Sequence, residues 1–192
     1  RALRFWARHG YRPAREVYDL RGAPNATPAT PPPAAIRDEG WRIAPGRPGQ
    51  EGTILAFLAR DFPGRWRYHL ADTFARGGTA EDVIVLTDPA GAVAGFLASW
   101  RPESRLLGPG LHWFPALGPR PGGIGPLGIA PAARGKGLGL ALVAAATAIL
   151  RERGIEDCVI DWVGDRLIDF YGRLGYRPWI GYWRCEPKPL AD

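Results

Sequence analysis

The sequence predicts a mixed α/β domain, because stretches with the period of a strand alternate with stretches with the period of a helix. Residues 82–86 and 93–98 are apolar strand candidates, and the Asp-Pro-Ala-Gly segment between them favours a hairpin turn. Residues 53–62 and 66–76 carry apolar side chains at helical spacing, and each stretch ends at proline or glycine. A hairpin packed against two helices follows from these two observations.

The third observation is a strand–turn–helix unit in the second half of the chain. Residues 125–130 form a short predicted strand, and residues 137–153 form a long helix with arginine in its last turn and Gly154 just after it. Four further elements are expected: a short strand at 41–43, a buried strand at 158–162, a short helix at 165–174, and one bent or two separate closing strands at 176–184.

Composition and charge narrow the class of protein. The 192 residues are 46% hydrophobic and 23% charged, which is typical of a globular domain. No apolar run is long enough to cross a bilayer and no signal peptide is evident, so we expect a cytoplasmic protein. The net charge of +6 comes from arginine, and a nucleic acid, a membrane, a phosphorylated cofactor or a solvated surface would each explain it. With no basic stripe, we predict neither a nucleic acid nor a membrane partner.

We predict no metal site, because the two cysteines and the other residues able to bind a metal do not occur at the spacings of known metal sites. Cys158 and Cys185 either form a disulfide or are separate small residues of the core.

An internal repeat predicts that the chain contains more than one domain copy. Residues 5–13, FWARHGYRP, match residues 170–178, FYGRLGYRP, at six of nine positions. We therefore predict that residues 1–22 are the tail of a preceding copy, that residues 23–36 are a Pro-rich linker, and that residues 37–192 are the complete domain. The chain begins with arginine and contains no methionine, so a longer parent with tandem copies is expected. The tail lacks its own core and is expected to pack on this domain or on a neighbouring molecule.

A glycine-rich turn joins the strand at 125–130 to the long helix. It reads Arg134-Gly135-Lys136-Gly137-Leu138-Gly139. The first N–H groups of a helix have no intrahelical acceptor and lie at the positive end of the helix dipole, so such a turn favours a phosphate or pyrophosphate. The alternative is that the glycines only allow close packing of strand and helix. The turn matches neither the P-loop nor the dinucleotide fingerprint.

This turn, preceded by Gly128-Ile129-Ala130-Pro131, resembles the signature of the GNAT superfamily of N-acetyltransferases, [RQ]-x-x-G-x-[GA] after a strand. Residues 170–176, FYGRLGY, are similar to the later motif of that family, a helix bearing a tyrosine that ends in Leu-Gly-aromatic. The two motifs stand in the family's order with a predicted strand between them. The resemblance implies the GNAT fold with splayed central strands, N-acyltransferase activity and acetyl-coenzyme A (acetyl-CoA) as co-substrate.

The resemblance also implies which residues bind the donor. The turn amides of Arg134, Gly135, Lys136, Gly137, Leu138 and Gly139 would hold the pyrophosphate. The strand before the turn would pair with the pantetheine arm through Leu127, Gly128 and Ile129, and the strand at 158–162 would form the other wall of the opening. Asp165 stands where the family often has an asparagine that contacts pantetheine, and a helix N-cap is the alternative for it.

Tyr171 resembles the family's general acid, which protonates the departing thiolate when an amine attacks the thioester. The alternative is an aromatic residue on the apolar face of its helix. Asp161, His112 and Glu103 are candidates for a general base, and no motif selects one of them.

The acceptor is expected over the splayed strands, near three tryptophans: Trp66, Trp113 and Trp162. Each tryptophan has a core residue as its alternative. The leading prediction is acetyl transfer to the primary amine of a small molecule such as an amino sugar, an amino acid or a polyamine. A catalytically weak module that binds acyl-CoA and regulates a partner is the second hypothesis, and a nucleic-acid binder, which only the net charge motivates, is the third.

Overall fold

The computed structural model describes residues 2–27, 31–106 and 111–188, and its central feature is one mixed sheet of seven strands. In chain order the strands are β1 Tyr11–Gly22, β2 Arg42–Pro45, β3 Val83–Thr87, β4 Val93–Trp100, β5 Pro121–Ile129, β6 Asp157–Gly164 and β7 Arg177–Pro187. Across the sheet their order is β2-β3-β4-β5-β6-β1-β7. Among these described strands, β5 and β6 form a parallel pair and the other neighbours are antiparallel. The predicted mixed α/β fold is confirmed.

Six α-helices occur in the described part of the chain. They are α1 Ala2–Arg8, α2 Ala34–Asp38, α3 Glu51–Asp61, α4 Arg65–Ala75, α5 Leu138–Glu152 and α6 Ile168–Gly172. None of the helices within the described ranges combines the length and the apolar composition that a bilayer span requires.

The centre of the sheet is covered on both faces. Four consecutive residues of β3, from Val83 to Leu86, are buried, and so are most residues of β4. Because successive side chains of a strand point to opposite faces, continuous burial means that both faces are packed. Contacts of α3 with β4 and of α5 with β3 and β4 supply part of that cover.

Helix α5 follows the boundaries that its sequence predicts. Gly137 is its N-cap in the left-handed conformation, with φ of 73°, and Gly154 takes the same φ just beyond its end. The N–H of Ile155 donates to the carbonyl of Leu150 at 3.0 Å, which closes the last turn. The side that faces the core is apolar and includes Leu138, Leu142, Val143, Ala146 and Leu150.

Strand β1 lies inside the sheet, between β6 and β7, and pairs antiparallel with both. Val17 and Leu20 are buried there. The segment that the sequence assigns to a preceding copy therefore supplies an inner strand of this sheet, and the range 37–192 lacks that strand. The origin of residues 1–22 in a preceding copy stays a prediction.

Several boundaries differ from the predicted ones because local sequence does not determine strand pairing. Of the two alternatives for the closing stretch, the structure has the single strand: β7 extends to Pro187 and pairs along the length of β1. Strand β5 begins at Pro121, four residues earlier than predicted, where it meets β6. Part of the predicted linker is ordered as a 3-10 turn, Pro24–Ala26, and as α2, while residues 28–30 lie outside the described ranges. Both cysteines are free, and Cys158 is buried in the core.

Candidate functional site

Strands β5 and β6 separate after a short paired stretch. Their pairing joins Pro121 to Asp157, Gly122 to Cys158 and Gly123 to Val159. The described strands continue beyond these pairs, β5 to Ile129 and β6 to Gly164, without further mutual pairing. The splay that the resemblance implies is therefore present, and each strand exposes an edge toward the other.

A cavity of about 410 Å³ opens between the separated strands. One wall comes from α4, a second from β5, and a third from β6 and the segment up to α6. The lining residues are Arg65, Trp66, His69, Gly125, Pro126, Leu127, Ile160, Asp161, Trp162, Val163, Leu167 and Tyr171. Apolar walls with a few polar groups are typical of small-molecule sites.

Both strands carry an irregularity at the mouth of the splay. On β5, Gly125 and Pro126 together face Ala98, because Leu97 pairs with Leu127 and Ser99 with Ile124. On β6, the register likewise shifts between Val163 and Ile160. A β-bulge bends its strand and ends regular pairing. The two irregularities therefore help to hold the strands apart.

Tyr171 lies on α6 with its side chain at the cavity and only 7% of the residue exposed. Burial, with a smaller contribution from the negative charge of Asp161, raises the pKa of its hydroxyl to about 12. At neutral pH the hydroxyl is therefore protonated and can act only as a donor or a neutral acceptor. This is the protonation state that a general acid requires.

The N-terminus of α5 lies beside the cavity-forming elements. A Cβ atom at Gly139 would stand 3.6 Å from the ring of Phe170, the neighbour of Tyr171, and 3.9 Å from Ile129 at the end of β5. The first hydrogen bond of the helix runs from the N–H of Ala141 to the carbonyl of Gly137. The amides that precede Ala141 in the first turn therefore have no acceptor four residues back within the helix. No acidic side chain occupies this first turn. The helix end can therefore hold an anion.

The two cations of the turn make contacts within the protein. Arg134 donates through Nε to the carbonyl of Ile129 at 3.0 Å. Lys136 pairs with Glu39 at 2.7 Å and lies 5.6 Å from the centre of the Trp41 ring. The hydrogen bond from Lys136 lowers the pKa of the Glu39 carboxyl. Residues 134–137 are exposed to solvent, so both cations can turn toward an incoming anion.

Two of the three predicted acceptor tryptophans lie at the cavity. Trp66 lines it from α4 while its ring packs on Phe62 and Phe96, and Trp162 lines it from β6 with 51% of the residue exposed. Trp113 does not line the cavity, so its prediction as an acceptor residue has no support from the geometry. Its ring packs on Trp179, and its Nε1–H donates to the hydroxyl of Tyr182.

The predicted base candidates and Asp165 lie at different places relative to the cavity. Asp161 lines the cavity, whereas Glu103 pairs with Arg120 at 2.7 Å outside it. The side chain of His112 lies outside the described part of the structure. Asp165 does not cap α6 as the N-cap alternative requires: it is exposed, begins a 3-10 turn, and accepts a hydrogen bond from the N–H of Arg166.

Arg65 and His69 are cavity residues that the sequence analysis missed. They lie on α4 with Trp66: His69 is three positions from Trp66 and four from Arg65, and positions three and four apart share a helix face. The helical period therefore contained a signal: once Trp66 is assigned to a site, its neighbours at this spacing belong to the same face. Among the described residues, no cluster of histidine, cysteine and carboxylate side chains is arranged to hold a metal ion.

Similarity to known proteins agrees with this geometry. The family model described as the Acetyltransferase (GNAT) family matches residues 53–176. A mycothiol acetyltransferase from Salinispora arenicola is 35% identical over 184 residues, which are 90% of this chain and 55% of that protein. The chain thus spans about half the length of the curated relatives that it matches.

Two solved structures share the fold. The glucosamine N-acetyltransferase region of a fungal multi-domain beta-N-acetylglucosaminidase superposes with a TM-score of 0.81 and 29% identity, over 94% of this chain and 22% of that chain. A GNAT-family protein from Sphaerobacter thermophilus superposes with a TM-score of 0.72 and 22% identity, over all of this chain and 57% of the other. The implied fold and family are confirmed, and with them the implied acyl donor. The chain belongs to the GNAT family of acetyltransferases, whose acyl donor is acetyl-CoA.

Proposed function

We propose that the chain transfers an acetyl group from acetyl-CoA to the primary amine of a small molecule, in the cavity between β5 and β6. The observation that carries this proposal is the position of a buried, protonated Tyr171 in the same cavity as the carboxylate of Asp161, where the two strands part. An acid and a base on one small cavity are the two groups that aminolysis of a thioester requires.

The donor is proposed to bind along β5 and at the start of α5. The edge of β5 that faces β6 has no ladder partner beyond Gly123 among the described strands, so the pantetheine amides can pair with residues 127–129 as an added strand. The pyrophosphate would then meet the amides of residues 135–139. Asp165 is exposed near α6, and we keep it as a proposed neighbour of the pantetheine arm.

The chemical step follows from these positions. The neutral amine nitrogen attacks the thioester carbonyl carbon, the carbon–sulfur bond breaks, and the departing thiolate takes a proton from the Tyr171 hydroxyl. The proton that the amine loses passes to Asp161, directly or through water. Asp161 then releases its proton to solvent and Tyr171 regains one from solvent, so the balance is one proton moved from nitrogen to sulfur and one acetyl group moved from sulfur to nitrogen.

An amino sugar is the acceptor class that we propose to test first. Trp66 and Trp162 offer aromatic surfaces for a sugar ring, and Asp161 offers a carboxylate for the ammonium group. Two similar proteins are named for a mycothiol acetyltransferase activity and for a glucosamine N-acetyltransferase region. Since acetyl-CoA is the donor, we propose the cytoplasm as the place of action.

The test is thiol release from acetyl-CoA in the presence of a panel of amines: glucosamine, amino acids and polyamines. We expect release with at least one amine and its loss in Tyr171→Phe. Tyr176→Phe is the matched control, because Tyr176 is also buried but its hydroxyl bonds Thr147 and Cys158 and does not line the cavity. A folded protein that binds acetyl-CoA and acetylates no amine would contradict the proposal and support a regulatory acyl-CoA-binding module.

A further inference from the structure

Strand β6 changes register opposite a single residue of β1. Tyr18 pairs with Val163 and Leu20 with Ile160, so Asp19 faces both Asp161 and Trp162. One extra residue on a strand is a β-bulge, and bulges next to active sites redirect side chains. Trp162 has φ of 52°, a left-handed conformation that bulky residues rarely adopt. Such a conformation costs roughly 1–3 kcal/mol and persists only when its surroundings fix it.

Asp19 provides contacts that fix this bulge. Its Oδ1 accepts the backbone N–H of Trp162 at 3.0 Å, and its Oδ2 accepts the hydroxyl of Tyr182 at 2.6 Å. That hydroxyl in turn accepts Nε1–H of Trp113. Asp19 is fully buried, and a buried carboxylate requires donors on both oxygens. The bulge removes the Trp162 amide from regular pairing, and the carboxylate supplies the missing acceptor.

The bulge determines what the cavity presents to an acceptor. In a regular strand, two consecutive side chains point to opposite faces. Asp161 and Trp162 lie within an unbroken run of cavity-lining residues from Ile160 to Val163. The bulge sets the backbone at Asp161 and Trp162, so its loss would change how these two residues are presented to the cavity.

We infer that Asp19 is a positioning residue of the acceptor cavity, which it shapes from β1 by holding the Asp161–Trp162 bulge. The inference rests on the proposed acceptor role of this cavity. Its consequence is that residues preceding the Pro-rich segment contribute to acceptor recognition without touching the acceptor. Trp113 gains a role here as well, because it supports the Tyr182 hydroxyl on which Asp19 depends.

Asp157, which lies on β6 itself, offers a matched control for Asp19. It is also nearly buried, with 7% exposure, and its carboxylate accepts hydrogen bonds from Arg21 and from the N–H of Gly118. It lies at the paired end of β6, four residues before Asp161, and does not line the cavity. Asp157→Asn therefore removes a buried charge from β6 while leaving the bulge in place.

The first readout separates the Michaelis constants of the two substrates. With glucosamine as acceptor probe, Asp19→Ala should raise the acceptor KM by about 10- to 100-fold, the range expected for a lost hydrogen bond to a charged group. The KM for acetyl-CoA should stay within about twofold. Asp19→Asn retains an oxygen acceptor for the Trp162 amide and should restore part of the loss. Asp157→Asn should lower stability and change neither constant. Equal acceptor constants in wild type and Asp19→Ala would overturn the inference.

The second readout needs no acceptor. In nitrogen-15 NMR spectra, the Trp162 amide should shift and exchange faster with solvent in Asp19→Ala, and it should be unchanged in Asp157→Asn. An unchanged Trp162 amide in folded Asp19→Ala protein would refute the positioning role even if the wild type acetylates amines. Conversely, a wild type that acetylates no amine while the Trp162 amide responds would refute the proposed function and leave Asp19 as the residue that fixes the bulge.

Discussion

A buried carboxylate lies at each end of β6, Asp157 at the paired end and Asp19 at the splayed end, and the two make different contacts. At the paired end, Asp157 is neutralised by the guanidinium of Arg21, and β6 continues the ladder into β5. At the splayed end, Asp19 is met by a peptide N–H and a phenol, and β6 leaves the ladder to line a cavity. The first half of β6 therefore forms part of the continuous sheet, and its second half forms a wall of the cavity.

The partners that stabilise the two carboxylates differ in charge. A bidentate pair of arginine and carboxylate is geometrically specific and suits a permanent contact. Peptide and hydroxyl donors carry no formal charge, so the carboxylate of Asp19 is met by dipoles rather than by a cation.

The largest expected effect comes from replacing a tyrosine near one end of β6. Tyr171 lies at the cavity beside the splayed end, and the hydroxyl of Tyr176 bonds Cys158 at the paired end. Tyr171→Phe removes the proposed acid and should lower kcat by about 10²- to 10⁴-fold, the usual contribution of general acid catalysis. Tyr176→Phe removes hydroxyl contacts to Thr147 and Cys158 and should cost about 1 kcal/mol of stability with kcat nearly unchanged. Steady-state kinetics measure kcat for both variants, and thermal unfolding measures their stability. Similar kcat values for the two variants would contradict the proposed role of Tyr171 as the acid.

The next effect concerns the proposed base. Asp161→Asn keeps the size of the side chain but removes its charge, so we expect kcat/KM for the amine to fall by about 10- to 100-fold. It should also lower the pKa of Tyr171, because the carboxylate of Asp161 raises it. Glu103→Gln is the control, since Glu103 pairs with arginines outside the cavity. Rates that fall equally in both variants would count against Asp161.

A smaller effect is expected at the two ends of α5, where Gly137 and Gly154 share a φ of 73°. An alanine at either position should cost about 1 kcal/mol or more in stability, because both glycines adopt the left-handed conformation. Only Gly137→Ala should weaken acetyl-CoA binding, by about tenfold, since it lies at the helix end proposed for the pyrophosphate. Calorimetric titration of both variants with acetyl-CoA measures the difference. Equal weakening would show that strain alone is responsible.

The smallest effect is the dependence of stability on alkaline pH. The folded pKa values of Tyr171 and Tyr182 are raised to about 12, mainly by burial, above the ordinary value of 10.0. A raised pKa means that these tyrosines stabilise the fold fully below pH 10, and that this contribution is lost as the pH rises toward 12. Unfolding curves from pH 8 to 12 should fall above pH 10, and they should fall less steeply in Tyr171→Phe. Parallel curves for the two proteins would contradict the assignment.

Sequence reasoning predicted the features that local pattern determines. The limits of α5 agree to within one residue, because its apolar period and its flanking glycines are local signals. Tyr171 was singled out from a short motif and Trp162 from its place at the end of a predicted strand, and both lie at the cavity. The family resemblance supplied the splay of β5 and β6, which the residues themselves do not encode in any visible period.

The features that sequence reasoning missed depend on contacts between distant segments. Asp19 and Trp162 are 143 positions apart, and the bulge that joins them is a property of strand register. The inner position of β1 likewise arises from pairing with β6 and β7. Trp113 was assigned to the acceptor as one of three tryptophans expected near the splayed strands, whereas its packing on Trp179 is a tertiary contact.

The most direct test of the account is a crystal structure of the chain with coenzyme A. We expect pyrophosphate oxygens about 3 Å from the amide nitrogens of residues 135–139, and a sulfur atom inside the cavity within reach of the Tyr171 hydroxyl. A pyrophosphate bound away from the start of α5, or a sulfur atom outside the space between β5 and β6, would contradict it.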